Sequence, residues 1–122
     1  MHNRYVLFLS AAAMIVASAA DAHNPRARHG GRIAHAGSYH VELVTEGKTV
    51  NAFLVGHDDR AMSADGYKGT AILLVDGKRQ RIPLAPRDNR LTGDADTNLP
   101  EGVTGVVQIT NPTGATSSAK FN

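Results

Sequence analysis

Short extended runs punctuated by turn residues predict that this chain is all-β, and three observations carry that reading. After residue 22 no window sustains the 3.6-residue apolar period of a helix. Runs of Val, Ile, Leu, Thr and aromatic residues recur at near-regular spacing between Gly, Pro, Asp and Asn clusters. Two-residue, glycine-containing links, Glu46-Gly47 and Asp76-Gly77, sit between runs that can fold back on each other. Together they predict a small antiparallel immunoglobulin-like β-sandwich of about seven strands. The chain has no Cys and no Trp, so the Cys-Trp-Cys signature of true immunoglobulin domains plays no part in this prediction.

Residues 1–22 read as a signal peptide. Arg4 lies in a short basic start, Tyr5 to Ala20 is apolar and small, and Ala20-Asp21-Ala22 is a small-x-small cleavage pattern. The apolar run is too short and too rich in Ala and Ser for a membrane span. Cleavage after Ala22 predicts an exported protein of about 100 residues, one domain with a modest core. Without cysteines it must hold together by packing alone, and it has no thiolate for chemistry or for metal ligation. The formal net charge is +2, and removing one Arg and one Asp with residues 1–22 leaves it so. That is too small for a nucleic-acid partner.

Residues 23–31 are polar, contain Pro25 and Gly30-Gly31, and are expected to form a flexible arm. Arg26, Arg28 and Arg32 read as a solvated basic tail. Residues 32–122 form the sandwich domain. Arg32 to Ala36 is a short strand that Gly37 ends. Tyr39 to Thr45 alternates, with Tyr39, Val41 and Leu43 on one face and His40, Glu42 and Val44 on the other. Lys48 to Val55 returns. A turn at Glu46-Gly47 pairs Leu43 with Val50, Val41 with Ala52 and Tyr39 with Leu54, and it leaves His40 and Glu42 on the less apolar face opposite Phe53 and Asn51. Residues 57–67 are a loop. Lys68 to Val75 and Lys78 to Leu84 form a second hairpin about Asp76-Gly77, with Pro83 and Pro86 arguing for an edge. A short strand around Leu91, a strand from Val103 to Thr110, a type I turn at Asn111-Pro112-Thr113-Gly114 and a last strand from Ala115 to Phe121 complete the chain.

Five of the six histidines, His23, His29, His35, His40 and His57, fall between residues 23 and 57, and the rest of the exported chain has none. Imidazole with carboxylate oxygen, and no thiolate, suits Cu(II), Ni(II), Co(II) or Zn(II). Residues two apart on a strand are about 6.5–7 Å apart, so His40 and Glu42 can grip one ion if their side chains lean together. Folding back of the arm brings His29. The expected primary set is His40, Glu42 and His29. The same register carries His57 roughly 13 Å from His40 and toward His35, a second set. His23, if cleavage exposes it, adds an amine and an imidazole of its own. Catalytic readings find no support: there is no nucleophile elbow, phosphate loop, dinucleotide fingerprint or metalloprotease helix, and the acidic spacing does not match a calcium loop. A non-enzymatic protein is expected.

The order His29-Gly30-Gly31, then Gly37-x-Tyr39-His40-x-Glu42-Leu43-Val44, then an apolar strand ending at His57-Asp58, resembles a small periplasmic domain. It occurs at the front of some adaptor (membrane-fusion) subunits of heavy-metal RND efflux pumps and as free-standing exported proteins. The resemblance covers roughly the first half of the exported chain. It implies a β-sandwich in the periplasm that handles copper, nickel, cobalt, zinc or silver, with His29, His40, Glu42 and His57 at the recurring polar positions. It also implies an efflux component of the envelope as partner, and a role as buffer, sensor or delivery module. The chain lacks the adaptor's helical hairpin and lipoyl-like part. Of its methionines only Met62 survives signal removal, which disfavours Cu(I) and silver. The competing expectation is a metal-independent module that docks on an envelope partner by its sheet face or an edge strand.

Overall fold

The computed structural model describes residues 26–122; the expected signal peptide (residues 1–22) and His23 lie outside the described residues. The described chain is all-β and antiparallel, with eight strands where about seven are expected. These are β1 (Arg32–Ala36), β2 (Tyr39–Glu46), β3 (Thr49–Val55), β4 (Lys68–Val75), β5 (Lys78–Arg87), β6 (Arg90–Asp94), β7 (Gly105–Thr110) and β8 (Thr116–Phe121). They form one nearly closed sheet in the order β1-β2-β3-β6-β5-β4-β7-β8, and β1 and β8 lie side by side at the seam. Across that seam the Arg32 guanidinium lies 5.6 Å from the centre of the Phe121 ring and donates to the Val103 carbonyl. Among the described residues no helix is long and apolar enough to cross a membrane.

Alternation builds the interior. Val41, Leu43, Val50, Ala52 and Leu54 from one half, with Ala71, Leu73, Ile82, Leu91, Val107 and Ile109 from the other, are buried in a single core. Asp76 and Gly77 both take positive φ, as a type I′ turn requires, and Val75 pairs with Lys78 as expected. The Asn111–Gly114 turn also forms: Gly114 N–H donates to the Asn111 carbonyl at 2.9 Å, and the Asn111 side chain accepts from Thr113 and Ala115.

Two expectations need correction. The first hairpin turns at Gly47-Lys48, not Glu46-Gly47, so Glu46 pairs with Thr49 and Leu43 with Ala52. Gly47, at φ 62°, thereby occupies the first central position, which a type II′ turn reserves for glycine. This shift of two keeps every residue on its expected face, but it places His40 opposite Val55 and Glu42 opposite Phe53. Second, β5 is not an edge. It pairs with β4 through Leu84 and with β6 from Ala85 onward. Pro83 lies in the β4-paired part and Pro86 in the β6-paired part, so each can turn its nitrogen toward the side that is not paired there.

The handover needs β6 to run close beneath β5. A Cβ on Gly93 would stand 2.1 Å from the Pro83 carbonyl oxygen, whereas one on Gly77 would meet nothing within 4 Å. Gly93→Ala is therefore expected to force a backbone shift and cost about 3 kcal/mol. Gly77→Ala, strained only by its φ, should cost about 1 kcal/mol. Chemical denaturation of both variants checks the order; equal losses would mean that β5 and β6 are not packed this tightly.

Candidate functional site

Strand β2 is buried on both faces, and its outward side chains explain why. Glu42 is 1% exposed and His40 3% exposed. Glu42 is covered by the arm. Its Oε2 accepts from the backbone N–H of His29 at 2.8 Å and of Gly31 at 2.9 Å, and its Oε1 accepts from the Arg28 N–H at 3.1 Å. The His29 ring completes the set, with Nδ1 2.9 Å from Oε1. A carboxylate offers about four acceptor positions, and all four are used here. Gly31 is required at this point because a Cβ there would stand 2.3 Å from the Leu43 carbonyl oxygen. The basic tail is likewise anchored: Arg28 donates to the Asp59 carbonyl, and Arg32 bridges the seam.

Burial alone would push the Glu42 carboxyl upward. The His29 ring and the three backbone N–H groups outweigh it, and its pKa lies below the ordinary carboxylate value. Facing an ionised carboxylate, Nδ1 is the nitrogen that donates, and the ring's lone pair lies on Nε2. His29 is fixed further by stacking on Phe53, with ring centres 3.7 Å apart and planes 5° from parallel.

The histidines sort differently from the expected sets. His35 pairs with His40 across β1 and β2, with ring centres 4.3 Å apart. His57, just beyond β3, brings its ring centre within 5.8 Å of His40. The two-residue shift in register and the turn at residues 56–59, where Asp59 N–H donates to the Gly56 carbonyl at 2.9 Å, remove the expected 13 Å separation. His35, His40 and His57 thus form one patch, while Glu42 and His29 form a separate pair. Glu42 does not share a site with His40: its oxygens face the arm. Among the described residues no three His, Cys, Asp or Glu side chains converge on a point that a metal ion could occupy.

Sequence reasoning missed several neighbours. A cavity of about 270 Å3 lies beside the Glu42–His29 pair, lined by Arg28, Phe53, Met62, Asn89 and Arg90 among others. Arg90 Nε donates to the Oδ1 of buried Asn51 at 3.0 Å, and its guanidinium lies 5.6 Å from the centre of the Phe53 ring. Residues 51 and 90 share no local pattern, so only the β3–β6 pairing brings them together. No protein-family model, curated protein or solved structure matches this chain.

Because the folded-state pKa of Glu42 is depressed, its contribution to stability is present above the ordinary carboxylate range and disappears as pH falls through the lowered value. Glu42→Ala leaves buried donors without an acceptor and is expected to cost about 3 kcal/mol at neutral pH. The gap between variant and parent should close on acidification, and trypsin should cut after Arg28 in the variant faster than in the parent. Denaturation midpoints across pH check this; a gap that is the same at acidic and neutral pH would exclude the ionised lock.

Proposed function

We propose that this is a periplasmic protein that binds a divalent transition metal reversibly and acts as buffer, sensor or delivery module for a metal efflux or resistance system, without catalysis. Juxtaposition of His35, His40 and His57 carries this reading. Three imidazoles from β1, β2 and the turn after β3 form a patch in a protein that has no thiolate and no second histidine cluster among its described residues. Neutral imidazole nitrogen suits Cu(II), Ni(II), Co(II) and Zn(II). His35 and His57 are exposed, so each ring can turn about its side-chain bonds toward an ion at little cost. Export and the link to efflux rest on the N-terminal pattern and on the resemblance of residues 29–58.

The ligand set differs from the one expected from alternation. Glu42 has no lone pair left for a metal, and drawing it to an ion would release the arm. His29 retains Nε2, with Glu42 behind Nδ1 in the manner of an outer-shell carboxylate, and stands as the alternative anchor. His40 is buried, so truncating it removes packing as well as a donor and does not test binding cleanly. The exposed pair does.

Elemental analysis of protein purified from the periplasm, then calorimetric titration with the four ions, tests the reading. His35→Ala and His57→Ala should each weaken binding about tenfold or more, equivalent to about 1.4 kcal/mol, with unchanged denaturation midpoints. His29→Ala should leave affinity near that of the parent. Protons compete for the same nitrogens, so uptake should weaken as the solution is acidified. Loss of binding in His29→Ala alone would move the site to the arm. Failure of every ion to bind would pass the role to metal-independent docking on an envelope partner. An intact Met1 on the periplasmic protein would overturn export with cleavage.

A further inference from the structure

The cavity beside the arm does not belong to the histidine patch, and its chemistry points elsewhere. Its walls mix an apolar surface, from Phe53, Val55 and Met62, with two arginines, Arg28 and Arg90. Neither arginine makes an ion pair with a carboxylate among the described residues. Arg90 is held in place. Asn51, 6% exposed, accepts from its Nε, and the Phe53 ring lies under its guanidinium. The two terminal amino groups of Arg90 make no hydrogen bond within the described residues. A guanidinium oriented by a buried amide and an aromatic ring, with its outer fork unused, is pre-organised for a planar oxyanion.

Two carboxylates share the lining. Glu42 is ionised, but its acceptor positions are already filled by three backbone N–H groups and the His29 ring, and it makes no ion pair with either arginine. Asp88 is exposed on the β5–β6 turn, more than 4 Å from any arginine nitrogen. The Arg90 guanidinium therefore faces the cavity with no carboxylate paired to it. About 270 Å3 is small for a drug-sized ligand, whereas apolar cavities of about 150 Å3 already accept benzene.

We propose that this cavity binds a small organic carboxylate, its head on the Arg90 fork with Arg28 beside it and its apolar body against Phe53 and Met62. Binding here requires no metal at the histidine patch.

Benzoate is the probe, with benzamide, benzylamine and inorganic phosphate as controls, read by the methyl signal of Met62 and by calorimetry on the protein covering residues 23–122. Benzoate should saturate the Met62 shift, and benzamide and benzylamine should bind at least about tenfold more weakly because they lack the anionic head. Phosphate should also bind at least about tenfold more weakly, because it has no apolar body. Arg90→Gln should weaken benzoate about tenfold or more, and Arg90→Lys, a point charge without the fork, should recover only part of the loss. Arg28→Gln, at an exposed position, carries the same test should Arg90→Gln lower the denaturation midpoint. Absence of saturation, benzylamine or phosphate binding as well as benzoate, or indifference to both arginine changes would overturn the proposal. Benzoate should still saturate in the presence of chelator; benzoate binding that requires metal would overturn the proposal.

Discussion

A buried carboxylate that must be paired governs the first third of this fold. Glu42 sits in the middle of β2 with almost no exposure, and an ionised group there is tolerated only if donors surround it. The donors come from the chain eleven to fourteen residues earlier: the N–H groups of Arg28, His29 and Gly31 and the His29 ring. Meeting that need folds the arm over the outer face of β2 and holds the chain just before β1. It also seats His29 on Phe53, where the ring forms one side of the cavity. Without this pairing β2 would expose its second face, as ordinary half-buried antiparallel strands do.

The histidine patch depends on a different constraint, the register of the first hairpin. Glycine is placed best at the first central position of a II′ turn, and that preference moves the turn one residue onward and the pairing by two. Faces are unchanged, yet every cross-strand neighbour is new. His40 then stands opposite the last residue of β3, within reach of a histidine two positions beyond that strand. A reading in which His57 runs straight on from β3 puts it far away; the tight turn at residues 56–59 brings it back.

Most of the fold was legible from local chemistry. The bounds of β1 and β4, the Asp76-Gly77 turn and the Asn111 turn follow from alternation and from residues that tolerate positive φ, and those signals act within a few residues. The continuous sheet was not legible. It depends on β5 changing partners between Leu84 and Ala85, and two prolines in one strand read as an edge unless each has an unpaired side toward which its nitrogen can turn. The candidate site divides the same way. Clustering of histidines and the kinship of His29 with Glu42 were visible from spacing and the Gly30-Gly31 hinge. Saturation of Glu42 by backbone donors was not, because backbone groups leave no trace in a sequence. Arg90 was silent too, since its partners Asn51 and Phe53 lie across the β3–β6 pairing.

The two candidate sites are not mechanically separate. Arg28 contributes its backbone N–H to Glu42 and its guanidinium to the Asp59 carbonyl, in the turn that carries His57. One residue of the arm thus ties the buried carboxylate to the loop beside the histidine patch, and it also lines the cavity. Energetic coupling between sites requires an element with two arrangements that both sites bias. The arm is the natural such element here, since it is held by one carboxylate and its attachment fixes both the cavity wall and a support of the His57 turn. A ligand drawing on Arg28 would compete with the Asp59 carbonyl for the same guanidinium, and that competition sets the sense in which occupation of the cavity would act on the histidines.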